Sequence, residues 1–338
     1  EVIYWIYYGL HFLIEYTKQT DFWELSSLTL KATLHICEEY LRNIPTLAIS
    51  NLFSETLSTA FKQEKVEKEF IILWLEIVSL FVKSDIFEKQ LSGLKGISAL
   101  ISKEESKDIV LEWFRSPTNL SIMSGNDIHP EFFIPYNNIL SELTAADLLT
   151  DTFLMNLWKL HTVQHSTQLF QFFLIFNTIA SKLDLSYMND FVSMCLNPES
   201  ETEIWAKFIT QLGITVGKRN DSPEAFSMIR EKLFSLSFSG NSILNITAQN
   251  GLSIVLQFYL DPDILVEYTK RLWDQCGNTL LFYQLLSHAT KFPFENEVFS
   301  YNVLENAISF AVSGTDKPYL VYPFIENVCS YNRIEIPE

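Results

Sequence analysis

The chain has 338 residues, more than one compact core supports, since single cores stop growing at roughly 250–300 residues. Hydrophobic residues make up 48% of it and charged residues 19%, which excludes the weakly hydrophobic, highly charged composition of a disordered chain. The net charge of −17 at pH 7 disfavours nucleic acid and anionic membranes as partners.

The composition and the spacing of apolar residues favour helices throughout. Gly (10) and Pro (11) are scarce, whereas an all-β sandwich of this length needs many turns. Apolar residues recur every three or four positions, as at Phe172, Phe176 and Ile179. The candidate helices, in chain order, lie near residues 2–18, 22–43, 47–62, 65–83, 86–102, 105–115, 143–162, 166–182, 184–196, 201–219, 223–237, 241–259, 262–275, 278–290, 296–312 and 317–330.

Short connections between these helices predict an all-α, armadillo- or HEAT-like α-solenoid of antiparallel helix pairs. One segment departs from the pattern. Residues 115–142, with Pro117 and Pro130 among their helix breakers, read as an irregular connection with at most a short helix at 132–140. The predicted organisation is therefore N-terminal repeats at 1–115, an irregular connection at 116–142 and C-terminal repeats at 143–338.

The N-terminal segment reads neither as a membrane span nor as a signal peptide. Residues 3–14 are apolar but too short to span a bilayer, and they lack the flanks of a signal peptide. Cys37, Cys195, Cys276 and Cys329 lie far apart, which is typical of free thiols in a reducing compartment. We expect a cytoplasmic or nuclear location. Because the chain starts without Met and ends abruptly, we also expect it to be part of a longer protein.

Several residues mark helix ends. Ser222 precedes Pro223, and proline is well tolerated at a first helical position. Ser200 and Glu203 have the spacing of a capping box, and Gly251 suits a helix C-terminus.

Residues 234–242 alternate apolar and small polar side chains, so they fit either of two local structures. One is a β-hairpin. The other, which we favour, is a helix that ends at Gly240, followed by a new helix cap at Asn241 or Ser242.

No cysteine has the surroundings of a nucleophile, which needs a base within reach. His35 is two residues before Cys37, and on a helix such positions point about 200° apart. Cys276 lies at a predicted helix C-terminus, where the helix dipole disfavours a thiolate.

His161 and His165 have the spacing with which two imidazoles on a helix share a metal ion. Thr162 stands where a zinc-protease helix has its glutamate, and no third ligand is near in sequence. We predict packing or capping histidines, with a metal-dependent hydrolase as the alternative. The glycines at 93–96 and 213–217 lack the Lys-Ser/Thr of a phosphate loop. The sequence therefore predicts no catalytic, metal or cofactor site.

One block of sequence is similar to a known family. Trp158 lies seven residues before His165, and an apolar helix and then a helix starting near Ser186 follow. The hydrophobic face of Phe87 to Ile101 precedes this block. This order resembles the helical-repeat region upstream of the catalytic domain in the very large ubiquitin-specific proteases of the fat-facets type. Residues 163–166 depart from the family pattern, because a glycine, a basic and an acidic residue are replaced by Val, Gln and Ser.

The resemblance implies a non-catalytic scaffold. Enzymes of that family are cysteine-type deubiquitinases, but their Cys and His boxes lie in a papain-like domain that this sequence does not contain, so no catalytic residue is carried over. We expect partners that are proteins, either ubiquitinated substrates or basic segments, and no nucleic acid, membrane or small-molecule substrate. The alternative is a free-standing, acidic HEAT- or armadillo-type adaptor or transport protein that binds basic cargo.

Overall fold

A computed structural model describes residues 68–123, 129–162, 164–256, 258, 271–275, 297–312 and 321–332. The described part of the chain is all-α, with no strand in it. None of its helices is long and apolar enough to cross a membrane. The chain divides into two compact units, Glu1–Lys182 and Leu183–Glu338. The helices predicted between residues 2 and 62 and at 278–290 lie outside the described residues.

The first unit contains a series of helices joined by short connections. They are α1 (Lys68–Val82), α2 (Phe87–Ile101), α3 (Glu104–Phe114), the single turn α4 (Pro117–Leu120), α5 (Phe133–Ala145), α6 (Asp151–Lys159) and α7 (Ser166–Lys182). Helices α1, α2 and α3 contact one another, α2 also packs on α5, and α5 packs on α7. Large buried side chains such as Trp74, Phe81 and Phe172 fill the space between them.

The segment predicted as an irregular connection, residues 115–142, is partly helical. It holds α4, 3-10 turns at Ser121–Met123 and Pro130–Phe132, and most of α5. Helix α5 continues past the short helix that the sequence predicted there and ends at Ala145. Its inward-facing apolar residues, among them Ile139 and Leu143, are fully buried, and Pro135 lies in its first turn, where a proline is tolerated.

The single helix predicted at 143–162 is instead two helices, α5 and α6. The chain turns at Asp147, whose φ of 54° is left-handed. The N–H of Asp147 donates to the Thr144 carbonyl, and the N–H of Leu148 donates to the Leu143 carbonyl, both at 3.0 Å. This is the Schellman pattern that closes a helix C-terminus. Aspartate is one of the few residues besides glycine that adopt the left-handed region readily.

The second unit contains α8 (Leu185–Cys195), α9 (Glu203–Arg219), α10 (Pro223–Leu236), α11 (Ser242–Val255), α12 (Glu297–Val312) and α13 (Tyr322–Asn332). Helices α9, α10 and α11 contact one another, α8 packs on α10, and α12 packs on α13.

The helix starts of the second unit test the predicted caps. Pro223 begins α10 as predicted. The capping box at Ser200 is wrong, because α9 is capped by Thr202, whose side chain accepts a hydrogen bond from the Trp205 N–H at 3.2 Å. Asn241 caps α11 by accepting two N–H groups of its first turn, each at 3.2 Å. The interrupted helix that we favoured at 234–242 is therefore confirmed and the hairpin is wrong, although α10 ends at Leu236 rather than at Gly240.

Candidate functional site

His161 packs against aromatic rings in the first unit. It lies in a 3-10 turn, Leu160–Thr162, directly after α6. Its ring centroid is 4.7 Å from that of Trp158 and 6.2 Å from that of Phe173. Its Nδ1 lies 2.5 Å from the Trp158 carbonyl oxygen. Because a carbonyl only accepts hydrogen bonds, the Nδ1 of His161 is the donor in this contact.

His165 caps the start of α7. Its Nδ1 lies 2.9 Å from the Thr167 Oγ1 and accepts from the Thr167 N–H at 3.4 Å. The contacts of His161 and His165 are thus of the packing and capping kinds that the sequence predicted. Among the described residues, no group of three or more His, Cys, Asp or Glu side chains is placed to hold a metal ion.

Trp158, the residue that anchors the family resemblance, belongs to the core of the first unit. Its side chain is buried, and its ring centroid lies 5.6 Å from that of Phe173 and 5.0 Å from that of Phe176, the latter edge-on. Both phenylalanines are on α7, so Trp158 fastens α6 to the helix that follows it. Its role there is packing, which the resemblance alone did not specify.

Gln164 and His161 have buried side-chain atoms without a hydrogen-bond partner among the described residues. The side-chain amide of Gln164 is buried, and neither its nitrogen nor its oxygen has a partner within the described part of the chain. The Nε2 of His161 is buried in the same way. An unpaired buried polar group costs about 1–3 kcal/mol. Sequence reasoning placed Gln164 only as a departure from the family pattern.

The two cysteines within the described residues are free and buried thiols, Cys195 and Cys329. Burial raises the pKa of the Cys195 thiol well above its usual range and also raises the pKa of Cys329. A protonated thiol is a poor nucleophile. The carbonyl of Cys195 accepts a hydrogen bond from the Trp205 indole at 3.0 Å, so this residue supports packing. His35, Cys37 and Cys276 lie outside the described residues.

The paired glycines that lacked a phosphate-loop pattern lie instead where helices approach closely. A Cβ built on Gly93 of α2 would be 2.7 Å from the Val78 carbonyl oxygen of α1. A Cβ on Gly213 of α9 would be 2.7 Å from a methyl group of Val255 in α11. Gly251, predicted as a helix end, lies inside α11 against Thr210. These glycines position the helices and need no ligand.

Three exposed apolar side chains lie in or just before the first turns of α11. Phe238, Ile243 and Ile246, which we call the α11 patch, are 37%, 60% and 58% exposed. Ile243 and Ile246 are three residues apart and therefore share one face of the helix. A hydrogen bond from the Asn245 side chain to the Ser239 carbonyl, at 3.3 Å, holds the turn that carries Phe238 against α11.

The sequence carried a signal for this surface that its helical periodicity does not reveal. Residues 233–260 contain no Asp, Glu, Lys, Arg or His, in a chain that is 19% charged. A surface helix normally carries charges on its outer face. This uncharged stretch includes exposed isoleucines, so the outer face of α11 lacks the charged side chains that a surface helix normally carries.

Comparison of the sequence with models of known protein families gave no match, and comparison with curated proteins gave none either.

Proposed function

We propose that this chain is a helical-repeat scaffold of the armadillo or HEAT type that binds other proteins. The observation that carries the proposal is the packing of three consecutive helices against one another in each unit, α1–α3 in the first and α9–α11 in the second. Stacked groups of consecutive helices, each in contact with its neighbours, are the building principle of α-solenoids. Such folds present extended surfaces for protein partners.

The chemistry of the candidate residues supports a binding role rather than a catalytic one. The histidines that could have shared a metal pack and cap, and the described thiols are buried with raised pKa values. Most of the exposed large apolar side chains among the described residues lie on helices, as at Ile134, Met155 and Ile243. The buried centre of a protein–protein interface is typically formed by apolar side chains.

Hydrogen exchange tests the repeat architecture in the intact chain. Phe208 of α9 is fully buried, and Phe208→Ala should accelerate amide exchange in α9–α11 far more than in α1–α3, because each group in a repeat array depends mainly on its neighbours. Phe81→Ala in α1, also fully buried, is the matched variant and should show the reverse pattern. Equal acceleration in both groups by either variant would mean one cooperative globule and would reject the proposal.

We further propose that the parent protein is a large ubiquitin-specific protease and that this segment is its non-catalytic, substrate-recruiting arm, working in the cytoplasm or the nucleus. The support is the order of the Phe87 to Ile101 helix and the Trp158 to His165 block. The test is to determine the complete coding sequence of the parent transcript. A Cys box and a His box downstream of this segment are expected, and their absence would reject the protease assignment while leaving the scaffold intact.

A free-standing acidic adaptor for basic cargo is the second candidate, favoured by the net charge of −17. Binding through charge weakens steeply as salt screens it. Affinity for a basic peptide should therefore fall as sodium chloride is raised from about 50 to 500 mM. An affinity that does not depend on salt would count against this candidate.

A further inference from the structure

We infer that the outer side of α3 docks a basic amphipathic helix of another protein. The surface, which we call the α3 face, consists of Ile109 and Trp113 together with the carboxylates of Glu104, Glu105 and Asp108. The inference rests on the proposed protein-binding function and adds to it a place and a class of partner.

The α3 face presents two neighbouring rows of side chains. Glu104 and Asp108 are four residues apart, and so are Ile109 and Trp113, so each pair follows one side of the helix. The buried side chains of α3 lie on its other side, and α3 packs against α1 and α2. The position of the α3 face is therefore fixed by packed helices, and a preorganised surface loses little conformational entropy on binding.

The first support is unmatched charge. Glu104, Glu105 and Asp108 are exposed, and none of the three carboxylates has an ion-pair partner among the described residues. Glu104 and Asp108 also repel each other, because like charges four residues apart on a helix are destabilising. A cation placed between them by a partner would relieve that repulsion.

The basic residues in and beside α3 are already engaged. The Nζ of Lys107 contacts Glu142 of α5 at 2.6 Å, and the Nε of Arg115 contacts Glu112 at 2.8 Å. Lys103, just before the helix, is half-buried and has an interaction of its own. The three carboxylates of the α3 face therefore keep a negative charge that a basic partner would match.

The second support is the apolar row beside these carboxylates. Ile109 and Trp113 are half-buried, so part of each side chain contacts water. The indole N–H of Trp113 has no hydrogen-bond partner among the described residues. Tryptophan is enriched among the residues that dominate binding energy. A row of apolar side chains beside a row of carboxylates is complementary to an amphipathic helix whose apolar side is flanked by Lys or Arg.

Three synthetic peptides test the inference on the full chain by fluorescence anisotropy. The first is an amphipathic helix with a leucine face and lysine flanks. The second has glutamates in place of the lysines, and the third has serines in place of the leucines. The first peptide should bind at least about tenfold more tightly than either of the others, because it alone matches both rows of the α3 face.

The triple variant Glu104→Gln, Glu105→Gln, Asp108→Asn removes the charges and nearly keeps the shapes of the side chains. It should weaken binding of the leucine–lysine peptide at least about tenfold. The remaining affinity should also depend less on sodium chloride, because fewer ionic contacts are left for salt to screen.

The matched control is the triple variant Asp190→Asn, Glu199→Gln, Glu305→Gln, which removes three exposed carboxylates of the second unit. It changes the net charge by the same amount as the α3 variant, so it separates the α3 face from the charge of the whole chain. It should bind the leucine–lysine peptide as tightly as the unmodified chain does. Circular dichroism should show unchanged helix content in both variants, since exposed side chains contribute little to folding.

Three outcomes would overturn the inference. The first is that the leucine–lysine peptide does not bind, or binds no better than either of the other peptides. The second is that the α3 variant binds it as tightly as the unmodified chain. The third is that the control variant weakens binding as much as the α3 variant, because the net charge rather than the α3 face would then attract the peptide. None of these outcomes bears on hydrogen exchange, so the repeat-scaffold proposal stands or fails separately.

Discussion

In each unit three consecutive helices contact one another, α1–α3 in the first and α9–α11 in the second. The two groups differ in what their glycines lie against. In α1–α3 the Cβ that Gly93 lacks would meet backbone atoms, the Val78 carbonyl oxygen at 2.7 Å and the Val82 nitrogen at 2.8 Å. In α9–α11 the missing Cβ of Gly213 would meet a side-chain methyl of Val255. A backbone that belongs to a packed helix cannot yield without moving the whole helix, whereas a side chain can change its rotamer. The first group should therefore tolerate a methyl group less well than the second.

The largest effect is expected for Gly93→Ala. The added methyl group must push α1 and α2 apart, which outweighs the better helix propensity of alanine, worth about 1 kcal/mol. We expect a loss of about 3 kcal/mol or more in the free energy of unfolding. Urea denaturation followed by circular dichroism measures this loss.

Gly240→Ala is the matched control, because nothing lies within 4 Å of the Cβ that it would add. Its free energy of unfolding should stay within about 0.5 kcal/mol of the unmodified chain. A similar loss in Gly93→Ala and Gly240→Ala would contradict the close approach of α1 and α2.

A smaller effect is expected at Gly251 in the second group. The Cβ added by Gly251→Ala would collide with the Thr210 hydroxyl group and lie 3.3 Å from the Thr210 Cβ. We expect a loss of about 1–2 kcal/mol. Because the main obstacle is a side-chain atom, removing it with Thr210→Ala should recover part of the loss. A double-mutant cycle should give a coupling free energy of about 1 kcal/mol in favour of the double variant, and strict additivity would show that the two residues do not touch.

These glycines show where sequence reasoning stops. Their spacing, as in Gly213 and Gly217, is visible in the sequence, and the structure places both of these glycines inside α9. Which helix faces them was not visible, because that depends on contacts between residues such as Gly213 and Val255, far apart in the chain. The prediction of Gly251 as a helix end was wrong for a related reason. A glycine that ends a helix and a glycine that lets two helices approach look alike in sequence.

The helices themselves were largely predictable, because apolar periodicity is a local property. The exceptions lie around Pro135 and Asp147, which affect where helix α5 begins and ends. Helix α5 carries Pro135 in its first turn, where proline is tolerated, and it ends at Ala145, with Asp147 in the left-handed conformation in which a glycine is usual. The α11 patch was not predicted, because apolar periodicity identifies the buried face of a helix and does not show which apolar side chains are exposed on its outer face.

Buried polar groups allow a second comparison of the units. In the second unit the Thr210 hydroxyl donates to the Ala206 carbonyl at 3.0 Å, whereas the Gln164 amide of the first unit has no partner among the described residues. Gln164→Leu should therefore raise the free energy of unfolding by up to about 1 kcal/mol, since it removes the cost of an unpaired amide. Chemical denaturation measures the change.

The matched variant Thr210→Val removes a hydroxyl that does have a partner, and it should lower the free energy of unfolding by about 1 kcal/mol. A loss of similar size in Gln164→Leu would show that the Gln164 amide is hydrogen-bonded in solution, for instance to an ordered water molecule.

The smallest effect concerns an ion-pair cluster that joins three helices of the first unit. Glu142 of α5 contacts Lys107 of α3 at 2.6 Å and Lys182 of α7 at 3.3 Å. The hydrogen bond from Lys107, helped by Lys182, lowers the pKa of Glu142 below its ordinary value of 4.5 despite the opposing effect of burial. The same hydrogen bond raises the pKa of Lys107 above 10.5.

The pH dependence of Glu142→Gln follows from these directions. A carboxyl whose pKa is lower in the folded state stabilises fully above its unfolded pKa, and this contribution is lost as the pH falls through the folded pKa. At pH 7 the variant should therefore be less stable than the unmodified chain, by less than about 1 kcal/mol because the groups are partly exposed, and the difference should vanish on acidification well below pH 4.5. The exposed pair Glu112 and Arg115 provides the control, since Glu112→Gln should change stability little at any pH. Urea denaturation at several pH values distinguishes the two variants. If the two variants changed the free energy of unfolding equally at every pH, the Glu142 ion pairs would contribute no more to stability than the exposed Glu112 pair does.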